Sequence, residues 1–268
     1  MAFEPRSGEH AIIEAVFGLK LSRALNSGEI ETLARNHDKW KDELPRLARH
    51  EVQQIVLGEG VPQAITVPGG PGVSFERIKP NGDIAWRLRY EGNALLINCL
   101  EYNGWTDVWA TALRYMREVV ELIGPEKLSV AGSFLQYIDA FDWMGDEAAY
   151  DIFQLLNPEG QLVPPTINQH GSAWHLHQGW FVPLNGPIDG RLLQKAHFDA
   201  IPKGELGYPS VRMDTLMRAD FSGHVSGKLI FEENSPIVGT FVEMHDRNKQ
   251  LLEAFLTDAM CQKIGLEQ

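Results

Sequence analysis

Alternation of apolar and polar residues predicts a series of β-strands, of which the segment 84–91 is the clearest. Its apolar positions are Ile84, Trp86, Leu88 and Tyr90. Because every second residue is apolar, one face of this strand should be buried. The Asn81–Gly82 pair directly before it favours a tight hairpin turn. Similar patterns predict strands over 12–21, 52–57, 73–78, 94–102, 128–143, 172–182, 191–201 and 210–221.

Apolar residues at helical spacing predict helices between these strands. Asn26 and Ser27 can begin the first helix, and Pro45 ends it after Leu44, because proline disfavours the helical conformation in the residue before it. The other predicted helices span 106–123, 147–156 and 241–264. The predicted buried stripe of helix 106–123 is Val108, Trp109, Ala112, Leu113, Met116, Val119, Val120 and Ile123.

The order of these elements repeats along the chain. Residues 1–124 and residues 125–268 each read as a strand, a helix, three or four antiparallel strands and a closing helix. We therefore predict an α+β fold of two similar β-α-β(3–4)-α half-domains, in which a long helix covers each antiparallel sheet. No repeat of individual residues accompanies this order, so an internal duplication is inferred from the order alone.

The composition is that of an acidic globular protein. There are 24 Lys and Arg residues against 36 Asp and Glu residues, which gives a formal net charge of −12. This balance opposes sequence-independent nucleic-acid binding, because such binding depends on Lys and Arg neutralising phosphates. No apolar run approaches the ~18 residues of a membrane-spanning helix. The two cysteines, Cys99 and Cys261, exclude a disulfide framework, so we expect a cytoplasmic protein.

Short motifs along most of the chain resemble a sporadically distributed family of uncharacterised bacterial proteins. Residues 12–17 are similar to the family's opening P-I-V-E-A-V-F, and residues 102–105 to its Y-x-x-W motif before a helix. Residues 137–139 resemble part of its R-Y-I-N strand motif, with Gln136 in place of the arginine and Asp139 in place of the asparagine. Residues 245–258 resemble its ending, here H-D…F-L-T-D.

The resemblance implies a biological setting and no reaction. The scattered distribution of such proteins suggests mobile gene islands, and hence an antitoxin, an immunity protein or an accessory factor in phage defence. The β-α-β₄-α order of the first half also looks like half of the TATA-binding-protein-like fold. Fold alone does not give function, and the acidic charge opposes a saddle that binds DNA.

Histidines on neighbouring predicted strands form the one constellation with possible chemistry. His175 and His177 are two residues apart and so project from one face of strand 172–182. If strand 191–201 lies beside it, His197 could join them, with Asp199 or Asp214 as carboxylates behind the rings. Such a set could bind Zn²⁺ or Fe²⁺. The simpler interpretation is the solvated polar face of an antiparallel sheet, for which no cofactor is expected.

Two classes of function remain open at this point. The favoured one is a non-enzymatic binding protein whose partner is another protein. A basic partner would fit, since acidic charge steers association with basic surfaces. The alternative is a metal-dependent enzyme that uses His175, His177 and His197. No recognised catalytic motif accompanies these histidines, so the sequence favours binding over catalysis.

Overall fold

The computed structural model describes residues 2–50, 54–56, 63–65, 72–203 and 207–266. The chain divides into two compact units. One contains residues 16–134 and 220–238, and the other contains residues 1–15, 135–219 and 239–268; we name them the 16–134 unit and the 135–219 unit. These units do not coincide with the predicted half-domains 1–124 and 125–268. The half-domains stay a prediction.

Strands dominate the described residues. They are β1 (Phe3–Pro5), β2 (Ile12–Leu21), β3 (Arg46–His50), β4 (Gln54–Val56), β5 (Gln63–Ile65), β6 (Gly72–Ile78), β7 (Ile84–Glu91), β8 (Ala94–Cys99), β9 (Ser129–Trp143), β10 (Trp174–Pro183), β11 (Gly190–Ile201) and β12 (Ser210–Ser226). The α-helices are α1 (Ser27–Arg35), α2 (Trp105–Ile123), α3 (Pro236–Phe255) and α4 (Asp258–Lys263). Short 3₁₀ turns occupy His37–Lys39, Glu147–Ala149, Ile152–Gln154, Ile167–His170 and Gly227–Phe231.

Most of the strands belong to a large antiparallel sheet. In the 16–134 unit the strand order is β2-β8-β7-β6-β3. In the 135–219 unit the order is β9-β12-β11-β10, and β1 pairs with β9. Strands β4 and β5 pair separately with each other. A mixed fold with a large antiparallel sheet and few helices confirms the coarse α+β prediction.

Aromatic side chains join helix α2 to the strands of the 16–134 unit. The Phe17 ring of β2 stacks on Trp109 of α2, with ring centroids 5.7 Å apart, and Trp109 stacks in turn on Trp105 at 5.5 Å. Trp40 packs against Phe75 of β6 at 4.7 Å. Such aromatic contacts add to the stability that comes from burying apolar surface.

Helix α3 supplies the corresponding core of the 135–219 unit. The ring of Phe255 lies 4.8 Å from that of Phe198 on β11, and Phe255 is fully buried. The hydroxyl of Tyr137 on β9 lies 3.0 Å from Nδ1 of His245 on α3. Burial lowers the pKa of His245 to about 4, so this imidazole is neutral at physiological pH.

Two predicted helices differ from the structure. The segment 147–156 forms two 3₁₀ turns, because the carboxylates of Asp146 and Asp151 each accept a hydrogen bond from a backbone N–H two residues further on. The predicted helix 241–264 is broken after Phe255. There the backbone N–H of Thr257 donates to Leu155, and the Thr257 hydroxyl caps the new helix α4.

The first predicted helix and one core residue also need correction. Helix α1 ends at Arg35, nine residues before Leu44, because the Asn36 side chain donates to the carbonyl of Thr32 and a 3₁₀ turn follows. On α2, Leu113 is only partly buried, whereas Tyr115 takes a fully enclosed place in the stripe. A tyrosine can bury its ring while its hydroxyl donates to a polar partner. Tyr115 does this, and its hydroxyl donates to Glu43.

Candidate functional site

The predicted histidines lie on two adjacent strands of the 135–219 unit. Strands β10 and β11 pair antiparallel, with His177 opposite His197 and His175 opposite Asp199. The rings of His177 and His197 have centroids 5.4 Å apart. The Nε2 atom of His197 lies 3.3 Å from Oδ1 of Asp199. The predicted neighbourhood of the two strands is therefore confirmed.

The side chains on this face do not gather around one point. His175 and His177 are exposed, and His197 is partly exposed. Asp214 on β12 accepts a hydrogen bond of 2.8 Å from Gln136 on β9. Throughout the residues that the structure describes, no group of three or more His, Cys, Asp or Glu side chains is placed to hold a metal ion. The metal site at His175, His177 and His197 stays a prediction.

Two carboxylates of strand β9, Asp139 and Asp142, are buried. Asp142 forms a two-point ion pair with Arg6, with Oδ1–Nη2 at 2.5 Å and Oδ2–Nε at 3.0 Å. Asp139 is 1% exposed, and burial raises its pKa to about 7. Its Oδ2 atom has no hydrogen-bond partner among the described residues. Asp139 is therefore a feature of the core.

A cleft of about 410 Å³ in the 16–134 unit is a stronger candidate for a binding site. Its lining residues are Glu43, Arg77, Trp86, Glu101, Asn103, Asp107, Thr111 and Tyr115. Three of these are acids and one is a base, so the lining carries more negative than positive charge. Two aromatic rings supply its apolar surface.

Helix α2 and strands β6 and β7 place these side chains. Asp107, Thr111 and Tyr115 are four residues apart and therefore lie along one stripe of α2. Gly104 precedes the helix with φ of +118°, a conformation that glycine adopts without strain and that turns the chain into α2. Arg77 and Trp86 are register partners on β6 and β7.

Hydrogen bonds hold the carboxylate of Glu43 in its ionised form. Its Oε2 atom accepts from Nη2 of Arg114 at 2.5 Å and from the Tyr115 hydroxyl at 2.6 Å. Burial alone would raise the pKa of Glu43, but these two donors outweigh it and the pKa is lowered. Burial, together with the bond to Glu43, raises the pKa of Tyr115.

The remaining acids differ in how far they are compensated. Glu101 pairs with Nη2 of Arg77 at 2.7 Å and lies 3.6 Å from the Lys79 ammonium. Asp107 lies exposed in the first turn of α2, and no cation from the described residues pairs with it. Asp107 therefore supplies the uncompensated negative charge of the cleft.

The aromatic wall is nearly enclosed. Trp86 is 8% exposed and meets the ring of Tyr115 edge to face, with centroids 6.3 Å apart. Carboxylates together with aromatic faces are the groups that proteins use to bind ammonium and guanidinium ions. The arrangement therefore suits the binding of a cation.

Comparison with known proteins adds no family. No known family model matches the chain, and no curated protein matches it significantly. The resemblance to a family of bacterial proteins accordingly stays a prediction. No helix within the described residues is long and apolar enough to cross a membrane.

The sequence did not point to the cleft as a site. The spacing of Asp107, Thr111 and Tyr115 on a predicted helix is visible in the sequence and could have indicated a polar stripe. Trp86 was assigned to the core, and it is buried there, but it also lines the cleft. Glu43 follows a 3₁₀ turn that the sequence predicted as helix, so its approach to Tyr115 could not be anticipated.

Proposed function

We propose that this chain is a non-enzymatic binding protein whose partner is a basic protein. The observation that carries the proposal is the cleft at Trp86, where three acids and two aromatic rings face one arginine. A lysine or arginine side chain of the partner would place its charge near Asp107 and its alkyl stem against Trp86. Both interactions are favourable for an amphipathic cationic side chain.

The overall charge supports a basic partner as well. A net charge of −12 attracts positively charged surfaces and raises the rate of their encounter, an effect that salt reduces. Long-range attraction brings the partner close, whereas the cleft would select a particular side chain. Net charge would therefore mainly set the rate of association, and the cleft would mainly set the specificity for the partner.

The proposed biological role is that of an antitoxin, an immunity protein or an accessory factor in phage defence, acting in the bacterial cytoplasm. The role is supported only by the resemblance to a sporadically distributed bacterial family. The compartment is supported by Cys99 and Cys261, which are both buried and form no disulfide within the described residues, as is usual for proteins of reducing compartments.

We also propose that the fold arose by internal duplication, with halves related as in the TATA-binding-protein-like order. The order of the strands in the sheet supports this proposal. In β2-β8-β7-β6-β3 the leading strand lies beside the last strand before α2, and in β9-β12-β11-β10 the leading strand lies beside the last strand before α3. Each half thus places its first and last strands together and runs outward in reverse chain order.

The test is calorimetric titration with the peptide acetyl-Lys-Lys-Lys-amide. The double variant Glu101→Gln/Asp107→Asn should bind the peptide at least tenfold more weakly than the unaltered chain, because charge-assisted hydrogen bonds contribute about 1.5–3 kcal/mol each. Circular dichroism checks that the variant is folded.

The matched control is Glu121→Gln/Glu126→Gln. It removes the same net charge near the other end of α2, where Glu121 lies about 21 Å from Asp107 along the helix axis and Glu126 follows the helix. Glu121, like Glu101, lies in an exposed ion pair. We expect the control to bind within about twofold of the unaltered chain. Equal weakening by both double variants would mean that net charge alone binds the peptide and would contradict a role for the cleft.

A further inference from the structure

Arginines are concentrated on one face of the strands in the 16–134 unit. Trp86 and Tyr90 of β7 are buried on the side of α2, so Arg87 and Arg89 project from the opposite face. Strand register places Arg46 opposite Glu76, and Glu76 opposite Arg87. We name Arg46, Arg87 and Arg89 the arginine row.

One buried carboxylate serves two members of the row. Glu76 is 4% exposed and accepts a hydrogen bond of 2.8 Å from Nε of Arg87. Its other oxygen lies 3.7 Å from Nε of Arg46. Since Glu76 carries a single negative charge, it cannot neutralise both guanidinium groups, and the Nη groups of Arg87 are not engaged by it.

Arg89 is compensated only in part. Its Nη1 atom donates to Glu91 at 3.0 Å, but that carboxylate is 54% exposed, so solvent weakens the pair. Its Nε atom is buried and has no acceptor among the described residues. A buried guanidinium N–H without an acceptor is unfavourable. The row therefore holds more positive charge and more N–H donors than the described carboxylates match.

We propose that the arginine row is a binding site for a phosphate group, independent of the cleft at Trp86. Guanidinium groups bind phosphate oxygens through paired N–H donors. A carboxylate offers two oxygens, which one arginine can engage fully, whereas a phosphate offers enough oxygens for donors from neighbouring strands. The two Nη groups of Arg87 and Nη2 of Arg89, from side chains about 30% exposed, are the donors that remain open to such a ligand. The arginine row carries a local excess of positive charge, although the net charge of the whole chain is −12.

The experiment is titration with inorganic phosphate at constant ionic strength, followed by calorimetry and by phosphorus NMR. Arg89→Gln is the test variant, because it removes the guanidinium whose buried Nε has no acceptor among the described residues and leaves the Glu76–Arg87 pair in place. Arg35→Gln is the control, since Arg35 is a largely exposed arginine paired with an acid on α1. Arg46→Gln is a second test variant, on a side chain 62% exposed, in case Arg89→Gln does not fold.

We expect saturable phosphate binding that Arg89→Gln weakens at least tenfold, Arg46→Gln weakens by less, and Arg35→Gln leaves unchanged. Acetate, tested in parallel, should bind much more weakly than phosphate. Binding of the lysine peptide should persist in Arg89→Gln, which separates this site from the proposed function. Absence of saturable binding, equal binding of acetate, or equal affinity in Arg89→Gln and Arg35→Gln would overturn the proposal.

Discussion

Replacing Met116 with alanine should lower the free energy of unfolding by about 2–5 kcal/mol. Met116 is completely buried on the stripe of α2 that faces the strands of the 16–134 unit. Truncating such a side chain removes apolar contacts and leaves a cavity that the neighbouring residues fill only in part. Urea denaturation followed by far-ultraviolet circular dichroism measures the change.

Leu113→Ala on the same helix is the matched comparison. Leu113 is partly exposed and borders a surface groove that also includes Phe231. Because solvent already reaches this side chain, we expect a loss of no more than about 1 kcal/mol. A larger loss for Leu113→Ala than for Met116→Ala would show that the helix presents a different face to the sheet.

Asp139→Asn should stabilise the protein at pH 8 by on the order of 3–4 kcal/mol. Burial raises the pKa of Asp139 from 3.8 to about 7. Between these values the folded state retains a proton that the unfolded state releases, so stability falls as pH rises from about 4 to 7. Above pH 7 the folded state bears the full cost of a buried, ionised carboxylate. Asparagine removes that charge at nearly the same size.

The pH dependence of the unfolding free energy has to be compared between the unaltered chain and Asp139→Asn. His245 has a pKa lowered to about 4, so its contribution to stability falls as pH drops from about 6.5 to 4, opposite to that of Asp139. Subtracting the unfolding free energies of the unaltered chain from those of Asp139→Asn cancels the His245 effect. The gain should be small at pH 4 and full at pH 8. A gain independent of pH, or the same profile for Asp38→Asn, whose carboxylate is 90% exposed, would refute the assignment.

The parts of the fold that follow from local pattern were predictable. Strand β2 has the predicted bounds, and α2 begins one residue before the predicted start, because a two-residue or helical period records directly which face is buried. The break between α3 and α4 depends instead on Thr257 pairing with Leu155, residues about a hundred positions apart. No local pattern contains that contact.

The candidate sites were likewise predictable only where they depend on local pattern. The juxtaposition of His177 and His197 was predictable, because it requires only that two consecutive strands pair. The cleft needs Glu43, Trp86 and Tyr115 to meet, and the sequence does not contain the register or the turn that brings Glu43 there. Carboxylates are usually exposed, whereas the strand position of Asp139 faces the core.

The most direct measurement of the central claim compares two ligands on the unaltered chain. Acetyl-Lys-Lys-Lys-amide and the same peptide with its lysine amines acetylated are titrated calorimetrically at ~0.15 M salt, where long-range charge effects are screened beyond about 8 Å. Acetylation keeps the alkyl stems and removes the positive charges. We predict saturable one-to-one binding of the unmodified peptide and its loss on acetylation. Equal binding of the two peptides, or no binding of the unmodified one, would contradict recognition of a cationic side chain.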